Sequence, residues 1–260
     1  MQKNQNSKYK ILILGCNGLA GNTFFRYFSV KHNFKVYGTV RKKKSIKLFK
    51  KNLQKNIIKF NSYKNNTLLK KLLHHRNYNI IINCIGVTKK KKYFSKEIIF
   101  INSKLPYNIL NLKKKNTKLI HLSTDCVFSG YKGNYKENNF TDAKDLYGVT
   151  KVLGEVQTKN SISIRTSIIG HEISLPKVGL LEWFLKKRTI YGFNKAYFSG
   201  LTVLQFSKIL EHTNFFYNLS GIYHLSSKKI SKYDLLNKIK KIYKKKTIIT
   251  KSNSFKIDRS

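Results

Sequence analysis

Lys10-Ile11-Leu12-Ile13-Leu14-Gly15-Cys16-Asn17-Gly18-Leu19-Ala20-Gly21 is the stretch on which the fold turns. A short apolar run of strand length stops at Gly15. From Leu19 to Val30 the chain takes a helical rhythm, with Phe24, Phe25 and Phe28 available for one buried face. A strand that enters a helix through closely spaced glycines lets backbone N–H groups approach a pyrophosphate, whose charge the helix N-terminus favours. Gly15, Gly18 and Gly21 are spaced G-x-x-G-x-x-G, one residue longer in the first turn than the G-x-G-x-x-G form. Taken alone, the pattern fits an ordinary strand–turn–helix corner equally well.

The alternation continues outward from this corner. Apolar runs at Phe34–Val40, Ile57–Phe60, Ile80–Ile85, Leu119–Leu122 and Ile162–Ile169 are separated by segments of helical length, as successive βαβ units require. This predicts an α/β chain with one doubly wound parallel sheet over residues 1–170. Past residue 170 the pattern loosens into a helix at Gly179–Lys187, another at Thr202–Glu211, a strand at Ile222–Leu225 and a helix at Lys232–Tyr243. Residues 171–260 are expected to form a smaller mixed α/β lobe, with a ligand crevice between it and the strand ends.

Tyr147 and Lys151 stand four residues apart and share one face of a helix. A phenol titrates near pH ~10 and is a poor acid at neutrality; an adjacent ammonium is expected to lower that value. The bland alternative is a surface pair that supports the helix.

Charge is the feature most apt to mislead. Lys+Arg number 53 against 11 Asp+Glu, a net +42, yet only six of the 53 are arginine. Lysine, asparagine, isoleucine, phenylalanine and tyrosine share A/T-rich codons, so a biased genome explains the composition without a polyanion partner. Sequence-specific nucleic-acid readers lean on arginine's planar fork, which is scarce here. The lysine runs Lys42–Lys44, Lys89–Lys92 and Lys113–Lys115 fall at expected loops or helix ends. Only weak, salt-sensitive association with nucleic acid is expected.

Residues Met1–Ser7 are polar, with no signal-like apolar core, and no stretch is long and apolar enough to span a bilayer. Cys16, Cys84 and Cys126 are scattered and odd in number, which suits a reducing cytoplasm and reads as three small apolar fillers. Seven histidines lack metal-ligand spacing, so no metal is expected.

The middle of the chain carries a longer signal. Leu122-Ser123-Thr124-Asp125-Cys126-Val127-Phe128-Ser129-Gly130 is followed by Gly133-Asn134-Tyr135-Lys136-Glu137 and by Tyr147-Gly148-Val149-Thr150-Lys151-Val152-Leu153-Gly154-Glu155. Asn83-Cys84-Ile85-Gly86, Asn102 with Pro106, and Arg165-Thr166-Ser167-Ile168-Ile169-Gly170 extend it. The run resembles the extended short-chain dehydrogenase/reductase superfamily, and within it the dTDP-4-dehydrorhamnose reductase family, over nearly the whole chain.

The resemblance implies a Rossmann-like fold and a reductase of a nucleotide-linked 4-keto-6-deoxy sugar, in deoxysugar or surface polysaccharide biosynthesis. Thr124 would bond the carbonyl oxygen, Tyr147 would protonate it, and Lys151 would lower the tyrosine pKa while binding the nicotinamide ribose. Thr124 also reads as a helix cap. Gly15, Asn17, Gly18, Leu19, Gly21, Arg41, Cys84, Ile85, Gly86 and Asn102 would line the cofactor, together with Tyr147 and Lys151. Dehydratases of the superfamily place an acid where Cys126 stands here, which favours reduction over dehydration. A sugar-nucleotide epimerase and a non-catalytic dinucleotide binder are the alternatives, and a homodimer is left open.

The first acidic residue in the chain is Glu97, so no carboxylate follows the second strand to hold ribose hydroxyls. Thr39, Arg41 and Lys42 stand instead where a 2′-phosphate would lie, which favours NADPH over NADH. Asn61 departs from the acidic residue common in the family near the third strand. The chain stops at Ile257-Asp258-Arg259-Ser260, where relatives continue, so either a truncated gene or a trimmed substrate lobe is expected.

Overall fold

A computed structural model describes residues 9–88, 93–213 and 218–260; the Met1–Ser7 segment and the Lys89–Lys92 run lie outside these. β1 (Tyr9–Leu14) passes through the glycine loop into α1 (Leu19–Ser29), and β2 (Phe34–Val40) follows. A short helix α2 (Lys51–Gln54) leads to β3 (Ile57–Lys59), then α3 (Asn66–His74) to β4 (Ile80–Asn83). Next come α4 (Ser95–Ile99), a π turn at Phe100–Lys104, α5 (Leu105–Leu112) and β5 (Lys118–Leu122). α6 (Leu146–Val152) precedes β6 (Ser161–Arg165) and β7 (Ile168–Ile169). The remainder is α7 (Leu180–Leu185), β8 (Thr189–Phe193), β9 (Tyr197–Phe198), β10 (Leu201–Thr202), α8 (Val203–His212), β11 (Gly221–His224), β12 (Ile230–Ser231), α9 (Lys232–Ile242) and β13 (Ile248–Ser252).

One seven-stranded sheet organises these elements, in the order β11-β6-β5-β4-β1-β2-β3. Every pairing in it is parallel. Strands buried on both faces read as continuous apolar runs, and β4, Ile-Ile-Ile-Asn, is buried throughout. Alternate side chains of β1 serve opposite faces. Ile11 and Ile13 pack with Phe24, Phe25 and Phe28 of α1, whereas Leu12 and Leu14 pack with Leu69, Leu72 and Leu73 of α3. The chain thus winds both ways from β1, with its switch point between β1 and β4.

Residues beyond 170 divide between two places. The strand expected in the smaller lobe, here Gly221–His224, is instead an edge of the main sheet, paired with β6. α8 joins it there, its Phe206 ring meeting Phe24 edge-on at 5.1 Å. The lobe itself is built from α7 and α9 over the parallel pair β8–β13, with Leu181, Phe184, Ile190, Leu236 and Ile239 as its core. The run Ile162–Ile169, expected as one strand, breaks at Thr166-Ser167; Ile168–Ile169 pairs instead with β10.

Phe206 is fully buried between α8 and α1. Phe206→Ala is expected to destabilise the chain by about 3–5 kcal/mol, the usual cost of truncating a buried aromatic. Urea unfolding checks this: the midpoint should fall with little change in slope.

Candidate active site

The carboxyl ends of the parallel strands gather every loop that matters. After β1, Gly15 adopts φ +78°, a left-handed backbone that glycine accepts without strain. Its N–H donates to Thr39 Oγ1 at 3.0 Å, and Gly18 N–H donates to Gly15 O at 3.0 Å. A Cβ on Gly21 would collide with Gly15 O, so the first turn of α1 packs directly against the loop. α1 starts at Leu19 with Gly18 as its cap, without a side-chain cap bond or an acid in its first turn. A helix N-terminus of that kind, behind a glycine cradle, fits a dinucleotide pyrophosphate.

Thr124, Tyr147 and Lys151 converge beyond the end of β5. Thr124 is buried; its Oγ1 accepts from Cys126 N–H at 3.2 Å and approaches Asp125 Oδ1 at 3.2 Å. The cap reading is therefore correct, and the Thr124 hydroxyl also lies near enough to the Tyr147 phenol to favour its ionisation. Asp145 caps α6 by accepting from Gly148 N–H at 2.9 Å, which places Tyr147 in the first turn. Lys151 is 3% exposed, so the surface-pair alternative fails. Its Nζ donates to Leu122 O at 2.6 Å and lies 3.2 Å from His121 Nε2.

Protonation departs from the expectation. Burial pushes the Tyr147 phenol well above its ordinary value, opposed by the bond to Thr124 and assisted by the nearby Cys126, Asp125 and Asp145. The Lys151 Nζ is directed at the β5 backbone, on Leu122 O. Burial instead brings Lys151 down from 10.5 to about 8.

Two further loops complete the edge. Cys84 and Ile85 are half-buried and Gly86 is exposed, just past the switch point. Asn102 is buried and fully engaged: Oδ1 accepts from Val87 N–H at 2.9 Å, and Nδ2 donates to Val87 O at 3.1 Å and Thr150 Oγ1 at 3.2 Å. It clamps the Cys84–Val87 loop to α6. Pro106 has no N–H for the carbonyl four residues back, which is Asn102, and the helix relaxes there into its π turn.

Arg41 is exposed at the end of β2, donating to Tyr93 OH at 3.2 Å, and Lys42 beside it is exposed. Thr39 corrects the expectation of a phosphate contact. It is fully buried, and its hydroxyl serves Gly15 N–H and Tyr63 OH, the latter at 2.9 Å. Asn17 Nδ2 donates to Ser174 Oγ at 3.3 Å, which ties the glycine loop to the chain after β7.

Sequence reasoning overlooked the group that braces these parts. Arg165 grips the Glu155 carboxylate through Nε and Nη2, both at 2.8 Å, while Ser123 Oγ donates to Glu155 Oε1 at 2.6 Å. All three are buried. Arg165 Nη1 also donates to Glu137 O at 3.2 Å. Each of these residues stands inside a quoted motif, but nothing in their spacing announces the contact.

The sheet order, glycine loop and Thr124–Tyr147–Lys151 arrangement define an enzyme of the extended short-chain dehydrogenase/reductase class. Residues 9–170 match the RmlD substrate binding domain family, and the chain belongs to that family. Among solved structures it is similar to a hypothetical dTDP-4-dehydrorhamnose reductase from Sulfolobus tokodaii, at 25% identity and TM-score 0.77, covering 96% of this chain and 91% of that one. It is also similar to dTDP-4-dehydrorhamnose reductase from Bacillus anthracis in complex with NADP, at 19% identity and TM-score 0.75, covering 95% and 85%. A third is the Bordetella bronchiseptica enzyme WbmG in complex with NAD, at 14% identity and TM-score 0.75, covering 95% and 82%. No curated protein matches the chain. A nicotinamide dinucleotide is the cofactor class these comparisons support. Among the described residues, no helix is long and apolar enough to cross a membrane.

Removing one partner of a buried ion pair strands the other charge at a typical cost of about 3–5 kcal/mol. Glu155→Ala is therefore expected to lower stability by that amount. Denaturant unfolding of the variant checks it; a loss under about 1 kcal/mol would show that the pair does not brace the site.

Proposed function

We propose that this chain is an NADPH-dependent reductase of a nucleotide-linked 4-keto-6-deoxy sugar. The observation that carries this reading is the Thr124–Tyr147 hydroxyl pair at the carboxyl end of the sheet, with Lys151 buried one helical turn away. NADPH, when bound, supplies the hydride. As the ketone oxygen gains negative charge, Thr124 hydrogen-bonds it and Tyr147 gives it a proton. The phenol is protonated at neutral pH and so has a proton to give. Lys151 supports Tyr147 and holds the nicotinamide ribose.

Gly15, Asn17, Gly18, Leu19 and Gly21 form the pyrophosphate cradle, and Cys84, Ile85 and Gly86 the facing wall. Asn102 acts through Val87 and Thr150 as a positioning residue. Arg41 takes the 2′-phosphate, with charge-assisted bonds that a diol cannot match. Residues 1–170 serve chiefly the cofactor and 171–260 the substrate. In the lobe, a cavity of about 590 Å³ lined by Lys177, Trp183, Lys187, Tyr191 and Phe193 suits a nucleotide's diphosphate and base. Cys126, a poor substitute for a carboxyl acid, supports reduction over dehydration. The proposed setting is deoxysugar or surface polysaccharide biosynthesis in the cytoplasm, without a specific nucleic-acid partner.

Two expected outcomes test the reading. NADPH should bind more tightly than NADH by calorimetry, and Arg41→Ala should narrow the difference; equal affinities in the native chain would contradict the assignment. With NADPH and a panel of nucleotide-linked 4-keto sugars, one substrate should be reduced. Tyr147→Phe should then lose ~10²–10⁴-fold in turnover, the usual worth of a positioned acid, with NADPH binding retained. Near-normal turnover of that variant would remove Tyr147 from the chemistry.

A further inference from the structure

Two basic runs meet at one end of the lobe. β8 and β13 are parallel and start level, Thr189 beside Ile248, so the loops that feed them lie side by side. The first loop is Lys186-Lys187-Arg188, whose two lysines also border the lobe cavity; the second is Lys244-Lys245-Lys246. Ile248 N–H donates to Arg188 O and the Thr247 hydroxyl to Lys187 O, both at 2.8 Å. The two runs are thereby held about one strand spacing, ~4.8 Å, apart. No Asp or Glu occurs between Glu182 and Glu211 or between Asp234 and Asp258. Among the described residues, none of the six cations is in an ion pair.

α9 ends in the second run. Lys245 N–H donates to Lys240 O at 3.0 Å and Lys244 N–H to Lys241 O at 3.2 Å, the paired bonds of a helix cap that closes through a left-handed residue. That residue is Lys244, at φ +49°, where glycine is usual. The two positions that commonly close such a cap with an apolar contact are Lys240 and Lys245 here. The apolar stripe of α9, Leu235, Leu236 and Ile239, continues past the lobe core to Ile242, which is 74% exposed. Beyond the cap, Ile248 on β13 is 63% exposed, because its neighbour Ile249 takes the face that packs on the core. Two bare isoleucines thus flank a turn of lysines.

We propose that this end of the lobe is a docking surface for a bilayer that carries anionic lipid headgroups. The headgroup layer attracts the ammonium groups, and the acyl boundary beneath it takes the isoleucines while lysine stems reach back to the charged plane. A second copy of this chain would set the same cations face to face, which repels. Nucleic acid offers the charge but no apolar layer for Ile242 and Ile248. Protein interfaces are enriched in arginine and depleted of lysine, whereas five of these six cations are lysine. The proposal does not rest on the reductase reading.

Co-sedimentation of the whole chain with phosphatidylcholine vesicles, with and without phosphatidylglycerol, tests this at about 150 mM salt, where long-range attraction is already screened. Binding is expected only to vesicles that hold phosphatidylglycerol. Each cation near such a surface is worth about fivefold, so Lys244→Gly with Lys245→Ala and Lys246→Ala should weaken binding on the order of a hundredfold. Ile242→Ser with Ile248→Ser keeps every charge and should weaken it at least about tenfold. Reductive methylation of the wild-type chain gives a readout without variants: vesicles should shield Lys244, Lys245 and Lys246 and leave the exposed run Lys42–Lys44 reactive. No binding at that salt would overturn the proposal. So would binding indifferent to the isoleucines, or equal shielding of both runs, since either marks adsorption by net charge alone. Stronger shielding of Lys244, Lys245 and Lys246 by duplex DNA than by vesicles would also overturn it and assign the surface to nucleic acid.

Discussion

The carboxylate of Glu155 is the fixed point of this molecule. It stands four residues after Lys151, just past the end of α6, accepts from Ser123 next to Thr124, and is gripped at both oxygens by Arg165 at the end of β6. Burying such a pair costs desolvation energy, so its value lies less in net stability than in holding a geometry. Two parallel N–H···O bonds and a third from Ser123 leave little freedom to slide. Thr124 and Tyr147 descend from different elements, β5 and α6, and they meet because both elements are tied to one side chain.

The scarcity of acids gives that tie more weight. With 11 acidic residues in 260, few are left over for an exposed surface role. Asp145 caps α6, Asp234 is bonded by Ser231 at the start of α9, and Glu137 accepts from His224 N–H at the edge strand. Glu211 joins α8 to Lys31 just past α1, and Asp258 pairs with Lys229. Lysines such as Lys42, Lys43 and Lys44 are exposed, where an ammonium costs little. The positive excess is carried by the surface, while the buried interior follows the usual rule that charges there are paired or shifted.

The central sheet was legible because its strands are buried on both faces and its helices on one, two periods that a sequence displays directly. The lobe was not. β8 does alternate between exposed and buried positions, but it is five residues long, carries Gly192 and follows a basic run, and β13 buries no position fully, so neither was read as a strand. β9, β10 and β12 are two residues each, too short for any period. Gly221–His224 was recognised as a strand but assigned to the wrong layer, since a period says which face is buried and not against what. In the site, the positions of Thr124, Tyr147 and Lys151 were readable from motif spacing, yet their protonation was not. Thr39 stood at the right place in sequence for a phosphate and proved to be buried under the glycine loop. His121 is silent in sequence, a polar residue within an apolar strand; its meaning appears only when Lys151, thirty residues on, is folded against it.

In the proposed reaction, hydride passes from cofactor to the sugar carbonyl while this chain supplies the proton. Deuterium transfer tests it most directly. The purified chain would be given NADPH deuterated at the transferable C4 position, with the nucleotide-linked 4-keto sugar that it turns over, and the product examined by mass spectrometry and NMR. The expected result is one deuterium bound to C4 of the product sugar, and one oxidised cofactor for each alcohol formed. An isomerised sugar without deuterium, formed with no net oxidation of the cofactor, would contradict it and make the chain an epimerase.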